Sequence, residues 1–364
     1  MATSDFLVIG AGISGAAAAF ELARHGSVLL VEAESLPGHH STGRSAALYT
    51  PNFGPALVRR INAAGRAFFE TPPEGFAEVP LLTPRGGLTL ARPGEEAALA
   101  EVLAHSTDRD PIVEIPLAEA ERLAPIMRPE LVGSAAWEPG VADMDVAAIH
   151  QGFLRGLKHR GGRLLCSAPV TALSRDAGVW RVTAGGETHE APIVVDAAGA
   201  WGDVVAGLAG ARPQRLQPKR RTAIVVDAPA GLDVHAMPLV EFAGHGPYLK
   251  PDGGRVMASL ADETPVDPQD VQPDDMDVAV LADWLERHTR IAIRKAPRAW
   301  AGLRSFVPDE TPVAGFDRER EGFFWLIGQG GFGIMMSPML GRITAELATS
   351  GRLSDDLLAL GIRA

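Results

Sequence analysis

The opening of the chain constrains its fold more tightly than any other stretch. Phe6-Leu7-Val8-Ile9 is a short apolar run of the kind a buried parallel strand shows, and it leads directly into Gly10-Ala11-Gly12-Ile13-Ser14-Gly15. Small and apolar residues follow at helical spacing, Gly15, Ala18, Ala19 and Leu22, before a second apolar run, Val28-Leu29-Leu30-Val31, ends in Glu32. Glycine triplets arise by chance in a chain with 40 glycines. The strand before, the helix after and the acid beyond make this one a dinucleotide-binding fingerprint. Gly10 permits the tight turn, Gly12 lets a pyrophosphate approach the backbone, and Gly15 lets the helix pack close to the strand. Ile13 and Ser14 lie at the helix N-terminus, where free N–H groups and a partial positive charge face the phosphates. Glu32, with Ala33 beside it, is placed to accept hydrogen bonds from the adenosine ribose, and its charge disfavours a 2′-phosphate.

Composition narrows the partners. With 364 residues, 46% hydrophobic and 22% charged, the chain has room for two domains and a large core. A net charge of −11 argues against a nucleic-acid or anionic-membrane surface, which needs a basic footprint, and points to a small molecule. Cys166 is the only cysteine, so neither an intrachain disulfide nor a cysteine-based zinc site can form. Of ten histidines only His39 and His40 are adjacent, and no metal site is expected. The N-terminus lacks a basic leader, and no apolar run approaches the roughly 18 residues of a membrane helix, so a cytoplasmic location is the expectation.

Further along, proline is frequent from Pro72 to about Pro129, the mark of a second region inserted into the first. A helix is predicted over Val146 to Arg160, with Val146, Ile149, Phe153 and Leu157 on one face. An antiparallel meander is predicted around Asp176-Ala177-Gly178. Ile193-Val194-Val195-Asp196 is another buried strand, leading into Ala197-Ala198-Gly199. The acidic stretch between Asp262 and Asp277 reads as a solvated loop and helix start. Phe323 to Ile327 is a strand that runs into Gly330-Gly331-Phe332-Gly333-Ile334 and a final helix.

The fingerprint alone does not separate NAD from FAD. Pro37 to Ala47, containing His40-Ser41-Thr42 and Ala46, is small and hydroxyl-rich, suited to wrapping a pyrophosphate and lying against a flat ring. Together with the turns at Ala198-Gly199 and Gly330-Gly331 it supplies more glycine turns than a plain NAD domain requires, which favours FAD. Backbone N–H groups of Gly331 and its neighbours would then sit where negative charge collects on a reduced ring.

Four segments carry a closer likeness: Ser41 to Ala47, Leu216 to Arg221, Tyr248 to Asp252, and Trp300 to Phe306. With them the chain resembles the D-amino-acid oxidase superfamily of flavoenzymes, and most closely the bacterial FAD-dependent D-arginine dehydrogenases. The resemblance implies an α/β fold in which an FAD-binding, Rossmann-like domain of glutathione-reductase type interleaves with an α+β substrate domain on a mainly antiparallel sheet. The expected ranges are 1–80, 135–212 and 305–364 for the first and 81–134 and 213–304 for the second. It implies noncovalent FAD contacted by Ser41, Thr42, Ala47 and Val170, with Leu48 and Gly302 nearby, and a substrate carboxylate gathered by Arg221, Tyr248 and Arg304 beside Gly331. A buried α-carboxylate favours arginine, whose planar fork gives two parallel hydrogen bonds.

The departures bear on the substrate. Where the D-arginine enzymes carry a glutamate for the guanidinium, this chain has Gly87; their active-site histidine and tyrosine become Leu48 and Phe53; a pocket valine becomes Glu241. These changes point in opposite directions, so the side chain of the substrate stays open. The lysine that helps sarcosine oxidases use oxygen is missing from Arg255-Val256-Met257-Ala258-Ser259, which favours a dehydrogenase passing electrons to a quinone, an electron-transfer protein or, more slowly, O2. The implied reaction is oxidative deamination of a D-amino acid, with the Cα hydride passing to flavin N5. Sarcosine or glycine oxidation, 2-hydroxy-acid oxidation and a non-catalytic flavoprotein subunit are the alternatives.

Overall fold

The computed structural model describes residues 2–244, 246–295 and 297–362; residues 1, 245, 296, 363 and 364, which the expected ranges include, lie outside them. Phe6–Ile9 and Val28–Val31 pair in parallel, every residue of both buried, around a helix over Ile13–Leu22. They belong to a six-stranded sheet in the order Arg163–Leu165, Val28–Val31, Phe6–Ile9, Ile193–Asp196, Phe323–Ile327 and Val313–Phe316, parallel except for the last strand. The alanines of the first helix let the C-terminal helix Gly333–Ser350 come close: a side chain on Gly341 would lie 2.7 Å from the Ala17 carbonyl.

The helix predicted from Val146 spans Val146–His159, capped by the Asp145 carboxylate, which accepts from the Ala148 N–H at 2.8 Å. Ile149, Phe153 and Leu157 are buried. The meander pairs Asp176 with Val179 across Ala177 and Gly178, both at positive φ, the turn that suits the twist of a hairpin. Among the described residues no helix is long and apolar enough to cross a membrane.

A second, mixed sheet runs Gln217–Asp227, Arg255–Ser259, Tyr248–Asp252, Leu239–Phe242, Gly87–Ala91, Ser134–Glu138 and Val113–Ile115. Arg298–Phe306 pairs along Gln217–Asp227. Its pairings are antiparallel except between Leu239–Phe242 and Gly87–Ala91. One face is apolar and packs Ile224, Val226, Leu249, Leu88 and Leu90 on the helix Asp275–His288. Strand alternation puts different chemistry on the other face. Ala223, Ser259, Tyr248, Glu241 and Thr89 are successive cross-strand partners there, and Arg221 lies two residues from Ala223.

The acidic stretch corrects its expectation in part. Asp274 caps the helix, its side chain accepting from the Met276 N–H, and the residues before it are largely exposed, Glu263, Asp267, Gln269, Asp270 and Gln272 among them, yet the stretch is also tied down. Asp262 accepts from the Thr222 N–H at 2.6 Å and its hydroxyl at 3.1 Å, Val271 is buried, and Asp270 is paired with Arg44. The stretch is a strap tying the mixed sheet to the wrapping segment.

Candidate active site

A cleft of about 430 Å³ opens at the carboxyl ends of the parallel strands. The fingerprint contributes Gly10, Gly12, Ile13 and Ser14 to its wall, the second strand Glu32 and Ala33, and the wrapping segment His40, Ser41 and Thr42. Val170, Ala198 and Gly199 complete that part; Arg304, Gly330, Gly331, Gly333 and Ile334 line the rest. These are segments far apart in sequence, and hydrogen bonds bring them together. Gly330 N–H donates to the Ser305 carbonyl at 2.9 Å, which sets the C-terminal glycine turn beside Arg304. The Ser41 hydroxyl donates to the Leu303 carbonyl at 2.8 Å, and the Trp300 indole donates to the Arg44 carbonyl at 3.2 Å, which docks the wrapping segment on the same strand.

The glycines test whether a cofactor fits. Gly10 and Gly15 are required by the protein itself: a side chain on Gly10 would lie 2.6 Å from the Ala197 carbonyl, and one on Gly15 would collide with the Gly10 carbonyl. Gly12 and Gly331 are not. Neither has positive φ, and the nearest protein atoms to an added Cβ are 3.4 and 3.9 Å away. Glycine at these two places leaves open room along the cleft wall, which suits close approach of a ligand to backbone. Two polar atoms of residues on that wall, His40 Nδ1 and Gln329 Nε2, are buried without a hydrogen-bond partner among the described residues. The cleft thus fits FAD.

Two fingerprint N–H groups differ from expectation. Ala11 N–H donates to Glu32 Oε2 at 2.8 Å, and Ile13 N–H donates to Thr42 Oγ1 at 3.0 Å, so the Ile13 N–H is committed within the protein. Glu32 also accepts from the Glu34 N–H, yet each of its oxygens keeps a further lone pair. On the other side of Ala11, the buried His150 ring donates from Nε2 to the Ala11 carbonyl at 2.9 Å, and burial pushes its pKa down, toward the neutral form. Sequence reasoning missed His150, along with Trp201, whose ring centroid lies 4.6 Å from that of His40.

Several expected contacts do not line this cleft. Gly15 is packed inside the first helix. Ala46 packs with Tyr248 and Trp300, and Ala47, at φ 56, lines a separate cleft behind the wrapping segment with Thr42, Ser45 and His150. Leu48 pairs with Asp143 in a small three-stranded sheet. Gly302 pairs with Arg221 and makes room for Arg304, whose Nη1 would lie 3.3 Å from a side chain there. Phe332 is buried against Phe53, at 5.8 Å between centroids, and Phe53 is 47% exposed, at the surface rather than inside the site.

The charged residues divide into two groups along the mixed sheet. Arg304 donates to the Leu303 carbonyl and, among the described residues, forms no ion pair. Burial and the neighbouring Arg221 charge push its pKa down to about 10, so it stays charged at neutral pH. Arg221 is already engaged: Nε donates to the Asp262 carbonyl at 2.9 Å and Nη2 to Glu263 at 3.2 Å. Tyr248 lies between these arginines and the acids. Glu241, its cross-strand partner, accepts only a long 3.4 Å hydrogen bond from Thr89, and burial raises its pKa. Glu138, not foreseen from sequence, is raised to about 7 by burial, with the nearby Glu241 charge adding to it, while Asn52 donates to it at 2.9 Å. Glu138 pairs with Gly87, where a side chain would run into Val141 at 2.8 Å. Lys250, on the strand of Tyr248, is held by Asp143 at 2.8 Å.

Cys166 is not among the residues lining the cleft. His39, His40 and Asp270 have ligand-type atoms within 4.8 Å of one another, a grouping the sequence did not foretell, but Asp270 is bound by the Arg44 guanidinium.

Comparison with known proteins agrees with this geometry. The pattern of the FAD dependent oxidoreductase family (DAO) matches residues 5–347. Human mitochondrial sarcosine dehydrogenase is 27% identical over 68% of the chain, which spans 28% of that protein's length. Glycine oxidase of Geobacillus kaustophilus is 24% identical over 97% of the chain and 95% of the relative. The glycine oxidase crystal structure superposes with a TM-score of 0.83, covering 99% of this chain and 98% of that one at 23% identity. An FAD-bound L-α-glycerophosphate oxidase of Mycoplasma pneumoniae superposes with a TM-score of 0.85, over 96% and 95% of the two chains at 20% identity.

Proposed function

The chain belongs to the DAO family of FAD-dependent oxidoreductases, and we propose that it uses FAD to oxidise an amine, a D-amino acid that is oxidatively deaminated to the 2-oxo acid and ammonia. The observation that carries the reading is Arg304, a charged guanidinium on the cofactor cleft that pairs with no carboxylate among the described residues, next to Arg221 and Tyr248. A substrate α-carboxylate supplies the missing anion through a two-pronged hydrogen bond. Arg221, preset by the Asp262 carbonyl and Glu263, adds charge, and the Tyr248 side chain faces the same side of the sheet.

FAD, when bound, supplies the two-electron acceptor for the Cα–H bond. The protein contributes binding, orientation and a dry site, and no side-chain base is required of it beyond release of one ammonium proton. Gly331 adds no side chain of its own to the cleft wall beside Arg304. The larger sheet, drawn from residues within 81–134 and 213–304 and from Ser134–Glu138, serves as the substrate-binding part. Glu241 and Glu138 face or border the substrate's side chain. FAD is held noncovalently, and with Lys250 tied to Asp143 the enzyme works as a dehydrogenase rather than a fast oxidase.

The names of the relatives support a second reading, oxidation of glycine or its N-methyl derivative. Anaerobic mixing of the FAD-loaded enzyme with both enantiomers of the common amino acids, glycine and sarcosine separates the two. Bleaching by D-amino acids ahead of glycine and sarcosine is expected. Preferential bleaching by sarcosine or glycine selects the second reading, and no bleaching by any amine removes both. Rapid reoxidation of the reduced enzyme by air would overturn the dehydrogenase assignment.

A further inference from the structure

We infer that the side-chain amide of Gln329 is a hydrogen-bond donor to bound FAD. The strand Phe323–Ile327 ends in Gly328 at φ 76, and Gly330 follows Gln329 at φ 53. Gln329 is therefore held between two glycine reversals. Its backbone is fixed on both sides: Gly330 N–H donates to Ser305, and the Gln329 carbonyl accepts from the Phe332 N–H at 3.0 Å. Gln329 lines the cleft wall with Gly331, Gly333 and Ile334.

There its Nε2 is buried and has no hydrogen-bond partner. Rotating the amide by half a turn exchanges the two atoms without giving the group a partner among the described residues. A buried amide donor left unsatisfied is destabilising, a cost native structures keep where a ligand or water supplies the acceptor. The same turn opens the C-terminal helix, whose first N–H groups have no intrahelical partner. Donors thus converge beside Gly331, which adds no side chain of its own. FAD presents acceptors along its whole length, in phosphate, ribityl and ring oxygens, and it is the group this family brings to the cleft.

Gln329→Met keeps the length and removes the donor. If Gln329 serves FAD, the two states of the protein respond with opposite signs. The apoprotein, relieved of an orphaned donor, melts at the same temperature or about 1–3 °C higher, while the FAD dissociation constant, read from flavin fluorescence, rises about tenfold. Gln329→Glu puts an acceptor where the donor was and raises that constant further. A purely structural glutamine predicts the reverse for the apoprotein, a lower melting temperature in Gln329→Met, and that result would overturn the inference. So would both variants binding FAD as tightly as the parent, the outcome if water satisfies the amide. The inference rests on FAD as the cofactor; a parent protein that takes up no FAD defeats that premise, a failure distinct from either result above.

Discussion

The parallel sheet and the mixed sheet meet at one cleft but build it by different means. The parallel sheet lines the cleft with backbone: glycines at 10, 12 and 331, turns between strands and helices, and polar side chains that chiefly hold those turns, such as Glu32 on the Ala11 N–H and His150 on its carbonyl. The mixed sheet presents side chains: Arg304, Arg221, Tyr248, Glu241 and Glu138, drawn from five strands, with cations at one end and acids at the other. A backbone site suits a cofactor common to a whole family. A side-chain site can be changed one residue at a time, which is where this chain departs from the enzymes it resembles.

The division is sharpest at Arg304. Arg304→Met should leave FAD bound and lower kcat/KM by about 2–5 kcal/mol, the scale for removing one partner of a desolvated charge pair; loss of FAD instead would place Arg304 with the cofactor. Glu138 provides the next test, by pH. Its folded pKa of about 7 lies above the ordinary 4.5, so its contribution to stability is full below pH 4.5 and is lost as pH rises through 7. Denaturant titrations should find the parent losing up to about 3 kcal/mol over that range relative to Glu138→Gln. Parallel pH curves for the two proteins would mean that Glu138 is ordinary and the acid end is not desolvated.

Arg221→Met should cost kcat/KM less than Arg304→Met, about 1–2 kcal/mol, because Arg221 is partly exposed and already paired with Glu263. Equal losses would make the two arginines a symmetric clamp. The smallest effect belongs to the backbone side. His150→Ala frees the Ala11 carbonyl and should weaken FAD binding by about 1 kcal/mol without changing the KM for the amine at saturating FAD. A changed KM would show that the two sheets are coupled through the turn.

How far each region is legible in sequence follows the same division. The βαβ unit, the helix after Asp145 and the strand before Gly328 declare themselves because local periodicity and glycine placement dictate them. Arg304 and Arg221 carry no local signal, since an arginine in a strand is usually a surface residue, and only resemblance to a family singled them out. Glu138 was invisible because its place depends on the register between Gly87–Ala91 and Ser134–Glu138, strands more than forty residues apart in the chain. The strap reads in sequence as the exposed loop and helix start it largely is, but its anchors do not, because Asp262 meets Thr222 only in the folded sheet. Phe53 was placed inside by analogy, whereas its ring lies at the surface against Phe332.

Arg304 on the cleft wall is expected to hold a carboxylate beside the flavin. Titration of the FAD-loaded enzyme with small unreactive carboxylic acids and their matching amides, followed by the visible flavin spectrum, tests it most directly. Saturable perturbation by the carboxylates and none by the amides is the predicted result; amides that perturb the spectrum as tightly as the acids would contradict it.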